Sequence, residues 1–568
     1  MPIFAGVLHN DAMTKVISKR KQNGEVFTPA DLANFLASRM AAYINYNKTL
    51  RVCDPACGDG ALLYAISNKL SAHHQNISIT GYDKDCEYLR NAKELIISSY
   101  PNIESSFELK DFIESPAENS LFTSFVKFDA IIGNPPYVRT QALGNEKAQI
   151  IAKQYGLSGK VDLYFPFLIN MTECLNEGGI LGVITSNRYL TTKSGESIRK
   201  YLLEHYDVLE IIDLGDTKLF DAAVLPAIFI GRKNESAKKN TGGKFYKIYE
   251  NLTGEPPVMS KQNIYDVLNS EESGCYQVGK SSYMYSVGTF IMPITNTAIW
   301  HMNTNQEQRW VDTIKANTCF YVGDRFGVKV GVKSCADEVF LEPSYYTASD
   351  RPEEVFFRDM ISQENISPWI ISDKLSKVIY PHFDDNGEKS VLKLDKYPKA
   401  ASFFAKHEMR LKSRSYLMKS NRLWYEYWVP QNATLWKYPK LIFPDISAEP
   451  RFAIDKSGAI VNGNCYWIYA SNEEDLNLLY LIAGVANSNL MIKYHDLCFN
   501  NKLYNGRRRY LSQYIEKYPV PDPNTIYAHK IIDIVKRLHS HVEDSEYNYL
   551  LSALNENVNL AFQSSLSS

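Results

Sequence analysis

The residues best suited to chemistry gather in FDAIIGNPPYVRT, Phe128 to Thr140. A buried-strand pattern runs into Gly133, and Asn134, Pro135, Pro136 and Tyr137 follow at once. Neither proline has an N–H to give a sheet ladder, and each ring fixes φ, so the strand stops and the backbone beyond it is stiff. An amide side chain, rigidly directed carbonyls and a phenol ring are thus presented together at a strand's end. A second candidate is DPACGDGALL, 54–63, where Gly58 and Gly60 permit a tight turn and a close backbone approach to a ligand. It has no Lys-Ser/Thr of a phosphate-cradling loop. Asp54 at its head favours a cationic or amine-bearing ligand over pyrophosphate. In GYDKD, 81–85, Asp83 (or, failing it, Asp85) is placed to accept hydrogen bonds from ribose hydroxyls, and either could equally cap a helix. In LKDF, 109–112, Asp111 beside Phe112 could read a purine, the carboxylate accepting from an exocyclic amine and the ring stacking.

These segments need elements that hold them side by side. Strand patterns at 50–55, 77–83, 128–134, 178–186, 208–215 and 223–232 alternate with helical ones such as 60–72 and 85–99. Apolar strands alternating with helices predict an α/β domain with a doubly wound, mostly parallel sheet. Ligands of such sheets sit at the carboxyl ends of the strands, where all four candidates fall.

A glycine turn, a ribose-type Asp, an Asp-Phe and an Asn-Pro-Pro-Tyr at successive strand ends resemble the S-adenosylmethionine-dependent methyltransferases. GEVFTP, 24–29, resembles the Phe-Thr-Pro segment ahead of the glycine motif in gamma-class, TaqI-type N6-adenine DNA methyltransferases. The order of motifs, with a long C-terminal part after them, is similar over nearly the whole chain. The resemblance implies a class I methyltransferase fold with a seven-stranded sheet, followed by a C-terminal α+β target recognition domain. Carried over by residue, Phe27, Thr28 and Pro29 line the cofactor site, the last two at its methionine end. Asp54, Ala56 and Gly58 form the loop around methionine and ribose, with Asp54 near the ammonium. Asp83 holds the ribose hydroxyls, Asp111 and Phe112 take the adenine, and Asn134 touches both cofactor and substrate. Asp54 departs from relatives that have Glu there, a shorter arm that should still reach an ammonium. The catalytic set implied is Asn134, Pro135, Pro136 and Tyr137, with Phe220 as a second ring against the target base. An adenine amino group shares its lone pair with the ring. Acceptors at the Asn134 amide oxygen and the Pro135 carbonyl would localise that pair, and no metal is demanded.

Domains are expected at 1–240 (catalytic), 241–525 (target recognition) and 526–568 (helices packed on the body). The linker-like KNESAKKNTGGK, 233–244, and the helical spacing of 531–562 set these bounds. In the C-terminal half, two basic, aromatic-interleaved stretches, 406–440 and 502–517, offer phosphate contacts or solvated charged faces. Lys412, Arg414, Arg422, Arg507, Arg508 and Arg509 are the candidates for DNA. Double-stranded DNA is the expected partner, with a cognate restriction endonuclease possible as a separate chain. Because Phe27-Thr28-Pro29 lies so near the start, a nuclease fused ahead of it is not expected. Two other readings compete: an amino methyltransferase for protein glutamine or RNA guanine, and a catalytically idle recognition subunit. Neither the Phe-Thr-Pro segment nor the long C-terminal half suits the first, and the full set of cofactor residues does not suit the second.

Bulk properties bound the answer without deciding it. The chain has 568 residues, too many for a single core, and a formal charge of −2, so only local patches could bind nucleic acid. The nine cysteines are scattered, with no zinc-like spacing, as expected of reduced cytoplasmic thiols. No run is long and apolar enough to predict a membrane span.

Overall fold

A computed structural model describes residues 27–45, 49–72, 76–113, 127–137, 145–157, 162–220, 225–234, 242–251, 255–293, 295, 298–341, 351–385, 388–499, 502–540 and 543–563. The chain divides into two compact units, Met1–Gln306 with Leu503–Asn505, and Glu307–Lys502 with Gly506–Ser568.

The first unit is built on one sheet. Its strands are β1 Leu50–Asp54, β2 Ile77–Asp83, β3 Glu104–Leu109, β4 Phe128–Gly133, β5 Leu175–Ser186, β6 Tyr206–Asp213, β7 Pro226–Lys233, β8 Lys244–Glu250, β9 Met259–Lys261, β10 Gly274–Val278 and β11 Ser281–Thr289. They lie in the order β3-β2-β1-β4-β5-β7-β6-β8-β11-β10-β9. β3, β2, β1, β4 and β5 are parallel neighbours, and β7 runs antiparallel between β5 and β6. The longer helices are α1 Ala30–Ala41, α2 Ala61–Ser71, α3 Cys86–Ser99, α4 Asn145–Gln154, α5 Tyr164–Cys174 and α6 Glu196–His205. Adjacent β4 residues face opposite layers. Ile132 packs with Leu36, Ile66 and Ile96 of α1, α2 and α3. Ile131 packs with Leu168 and Met171 of α5 and Ile198 of α6. A strand buried on both faces has to be apolar at consecutive positions, which is why AII of FDAIIG carries no polar alternation.

The seven-stranded sheet expected from the sequence is there as β1 to β7, but the sheet does not end with them. β8 pairs in parallel with β6, and β11 and β10 continue it. The first unit therefore carries on well past residue 240. The Lys/Asn/Gly-rich stretch taken for a linker leads into another strand of the same sheet.

The second unit holds a four-stranded sheet ordered Lys329–Val330, Cys465–Tyr469, Lys440–Pro444, Ala453–Asp455, alongside smaller sheets. Helices Glu473–Ala486 and Asn489–Phe499 share a core with Ile526–Leu538 and Asp544–Gln563. The last two occupy the segment whose apolar spacing predicts helices, and they belong to this unit.

Candidate active site

β1 and β4 are neighbours, so their carboxyl ends open side by side where the chain departs in opposite directions from β1. That reversal leaves a crevice. A cavity of about 210 Å³ occupies it, lined by Phe27, Thr28, Asp54, Ala56, Gly58, Asp83, Asp111, Phe112, Asn134 and Pro136 among the residues expected from sequence.

The loop after β1 is held from two sides. Gly58 has φ +52 and its N–H donates to Asp83 Oδ2 at 2.8 Å, so the end of β2 pins the glycine turn. Gly60, with φ +89, starts α2, and a Cβ there would meet Ala92 Cα and Cβ of α3 at 3.0 Å. Asp83 Oδ1 accepts from the Asp85 N–H at 2.9 Å, while Asp85 caps α3 by accepting from the N–H groups of Glu87 and Tyr88. The two acidic residues of GYDKD are thereby sorted: Asp85 is the helix cap, and Asp83 faces the cavity. Burial raises the Asp83 carboxyl above its usual range.

Asp54 is 1% exposed. Its Oδ1 accepts from the Ala56 N–H at 3.0 Å, and its Oδ2 is buried without a hydrogen-bond partner. Burial pushes the carboxyl up to about 8, against the Ala56 N–H, which lowers it, while nearby Asp83 adds to the rise. An orphaned, buried carboxylate oxygen in a cavity wall is costly unless a cation meets it.

At the other wall, the Asn134 Nδ2 donates to Thr28 Oγ1 at 2.9 Å, and the Tyr137 hydroxyl donates to Asn134 Oδ1. Pro135 is buried. Pro29 is the N-cap residue of α1. Neither Pro29, Pro135, Tyr137 nor Phe220 lines the cavity itself. The Tyr137 and Phe220 rings meet edge-on, with centroids 6.5 Å apart and planes at 76°, so no parallel slot for a base is preformed between them. Phe112 is 2% exposed and already stacked on Tyr82 and Phe167, at 6.2 and 5.6 Å. Asp111 Oδ1 accepts from the Ile113 N–H.

Phe167, Leu163 and Ile151 also line the cavity, although neither their residue type nor their spacing marks them for it. Phe167 lies in DLYFPFL on α5, where Phe165 and Leu168 have the same apolar character and are core. Only the three-dimensional placement of α5 separates a cavity ring from a core ring.

Two of the arginines offered for DNA are internal. Arg414 is 3% exposed and its guanidinium donates to the carbonyls of Leu411, Ser334, Glu426 and Trp424. Arg508 is 8% exposed and pairs through Nε and Nη2 with both oxygens of Asp496, at 2.6 and 2.8 Å. Burial alone would raise Asp496, but Lys502 and Arg508 hold it at about 2. These are structural cations, and a sequence shows their charge without showing which carbonyls surround them. Arg422 donates to the carbonyls of Tyr427 and Trp428. Lys412 is half exposed and pairs with Glu408 at 2.5 Å. Arg507 and Arg509 are exposed.

Residues 36–220 match the family described as Eco57I restriction-modification methylase, and residues 401–520 match the TaqI-like C-terminal specificity domain. The chain is 38% identical over 545 residues to Type II methyltransferase M.BanIII of Aneurinibacillus aneurinilyticus, covering 92% of this chain and 94% of the relative. The chain belongs to the gamma-class restriction-modification methylases. It is also 25% identical to Type II methyltransferase M.BstVI of Geobacillus stearothermophilus, over 71% of this chain and 69% of that one. Among solved structures, a nuclease-deletion mutant of the Type ISP restriction-modification enzyme LlaGI shares the fold. It has a TM-score of 0.51 at 12% identity, over 92% of this chain and 48% of that one.

Membership makes the methylase a DNA methyltransferase that uses S-adenosylmethionine. The cavity fits that cofactor: Asp54 offers an unpartnered carboxylate oxygen for an ammonium, and the Gly58 turn lets the backbone approach closely. Among the described residues, no group of side chains has the makings of a metal site, and no helix is long and apolar enough to cross a membrane.

Proposed function

We propose that the methylase acts on the N6 amino group of adenine in double-stranded DNA, the base being flipped out of the helix into the β1–β4 crevice. The observation that carries this reading is the Asn134 amide, fixed at the cavity wall with its Nδ2 on Thr28 and its oxygen toward Tyr137. S-adenosylmethionine, when bound, supplies a methyl group already activated on a sulfonium sulfur. The chain's own task is then orientation and charge placement. Asn134 Oδ1 and the Pro135 carbonyl accept hydrogen bonds from the two amino N–H groups and draw the nitrogen's lone pair out of the ring; one proton leaves the nitrogen after the methyl group has arrived and made it acidic. Pro135 and Pro136 have fixed φ, so that carbonyl is aimed before the base arrives. Asp54 takes the ammonium of the amino-acid end, and Asp83 the ribose hydroxyls. Phe112, in its stack with Tyr82 and Phe167, forms the wall for the cofactor's adenine, with Asp111 beside it. Tyr137 and Phe220, which meet edge-on, part to take the base against their faces. Each such stack is worth on the order of 1–3 kcal/mol against the cost of unstacking.

Target recognition falls to the second unit, which contains the match to the TaqI-like specificity domain. Lys412, Arg507 and Arg509, exposed on it, are the phosphate-contacting candidates that keep that role. A separate endonuclease acting on the same site, in the cytoplasm of the cell that makes both, completes the reading. The test is methyl transfer from labelled cofactor to mixed DNA, RNA and protein. N6-methyladenine in duplex DNA supports the proposal. Label confined to protein or RNA favours the amino methyltransferases of those substrates, and no label at all favours an idle recognition subunit.

A further inference from the structure

We propose that Thr28 is a positioning residue for Asn134, setting which face of the amide the substrate meets; this rests on the reaction proposed above. An amide side chain presents a carbonyl oxygen on one side and an NH2 on the other, and the two occupy nearly the same space. Only the oxygen can accept a hydrogen bond from an amino group, and an amide turned by 180° would offer donors to a donor. Something must therefore sort the two orientations. Two hydroxyls flank Asn134 in the structure, Thr28 at Nδ2 (2.9 Å) and Tyr137 at Oδ1. They are not equivalent. A phenol is the stronger hydrogen-bond donor and an aliphatic hydroxyl the stronger acceptor, so the phenol selects the amide oxygen and the threonine selects the NH2. The observed pairing follows that preference on both sides.

The two hydroxyls differ again once a base enters. The Tyr137 hydroxyl occupies the Oδ1 position that a substrate N–H needs, so it must yield. Thr28 lies on the far side of the amide and keeps its bond throughout. It is also well anchored. It precedes Pro29, which restricts its backbone to extended conformations. Pro29 leads into α1, whose Leu32, Leu36 and Met40 are fully buried. A hydroxyl 106 positions upstream of Asn134 is thereby held on a rigid mount. The Phe-Thr-Pro segment then has a role beyond lining the cofactor site.

The test compares Thr28→Val, which keeps the shape and removes the acceptor, with Thr28→Ser, which restores it. Cofactor affinity is measured by direct titration, and single-turnover methylation and KM for DNA are measured on the full chain. The expected result is a loss of roughly 10-fold or more in the transfer rate for Thr28→Val. With cofactor saturating, KM for DNA should stay within about 2-fold, and Thr28→Ser should return most of the rate. Wild-type transfer in Thr28→Val at saturating cofactor, a loss that higher cofactor concentration abolishes, or failure of serine to rescue overturns the role. Thermal melting accompanies each variant, and Thr28→Ala takes the place of valine under the same criteria if valine is not folded. The wild-type product is analysed in parallel. Absence of N6-methyladenine there overturns the reaction proposed above, whereas normal wild-type product with an unaffected Thr28→Val overturns only Thr28.

Discussion

Asp54 sits in conflict with its surroundings, and the conflict is informative. Its carboxyl titrates near 3.8 when unperturbed and about 8 in the fold, so between those values the native state holds a proton that the unfolded chain has lost. Stability must then fall as pH rises through that window. Asp54→Asn removes the titration. The variant should melt at a higher temperature than wild type at pH 8 and at a similar temperature near pH 3, while its affinity for S-adenosylmethionine drops at least roughly 10-fold. Melting curves at the two pH values with a cofactor titration check all three; equal melting at pH 8 would contradict the burial argument. Asn134→Ala should behave in the opposite way, retaining cofactor and DNA binding while single-turnover transfer falls roughly 100–1000-fold. At this scale the sequence was informative where a residue type is rare for its position. An acid heading a glycine loop and an amide before two prolines have few ordinary uses. It was uninformative for Phe167, one apolar ring among several on α5, and for Arg414 and Arg508, whose charge conceals an internal role.

Among the elements, the crevice depends on how closely α2 and α3 approach. Gly60 has φ +89, and a Cβ there would crowd Ala92 at 3.0 Å, so Gly60→Ala should destabilise the fold and weaken cofactor binding together, seen as a lower melting temperature with a raised Kd. The short strand Arg508–Arg509 gives a sharper contrast, because neighbouring arginines point to different fates. Arg508→Ala would leave Asp496 with Lys502 as its ion-pair partner and remove two charge-assisted hydrogen bonds, and should cost about 1.5–3 kcal/mol of stability. Arg507→Ala should leave melting unchanged, and Arg507→Ala and Arg509→Ala should each reduce the salt dependence of DNA binding by about one ion. Chemical denaturation and salt titrations of binding separate the outcomes; equal effects at all three positions would contradict the assignment. The elements themselves were legible wherever apolar runs and caps were strong, as in β1, β2, β4 and α3. β8 was not, because KFYKIYE follows a polar loop that reads as a linker, and parallel pairing with β6 leaves no local mark.

For the whole molecule, the sequence identified two kinds of content without locating the division between them. The motifs end by residue 220, so nothing in them required the sheet to continue to Thr289. A boundary drawn from composition at residue 240 falls within the span of the first unit, since composition records solvent exposure and not strand pairing. The reaction proposed for this chain is methyl transfer to adenine N6 in duplex DNA. Methylated-base sequencing of DNA from cells expressing the full chain tests it most directly. The prediction is N6-methyladenine at one position of one short recurring sequence, absent from cells expressing Asn134→Ala. Unmodified adenine throughout, or the same pattern with Asn134→Ala, would contradict it.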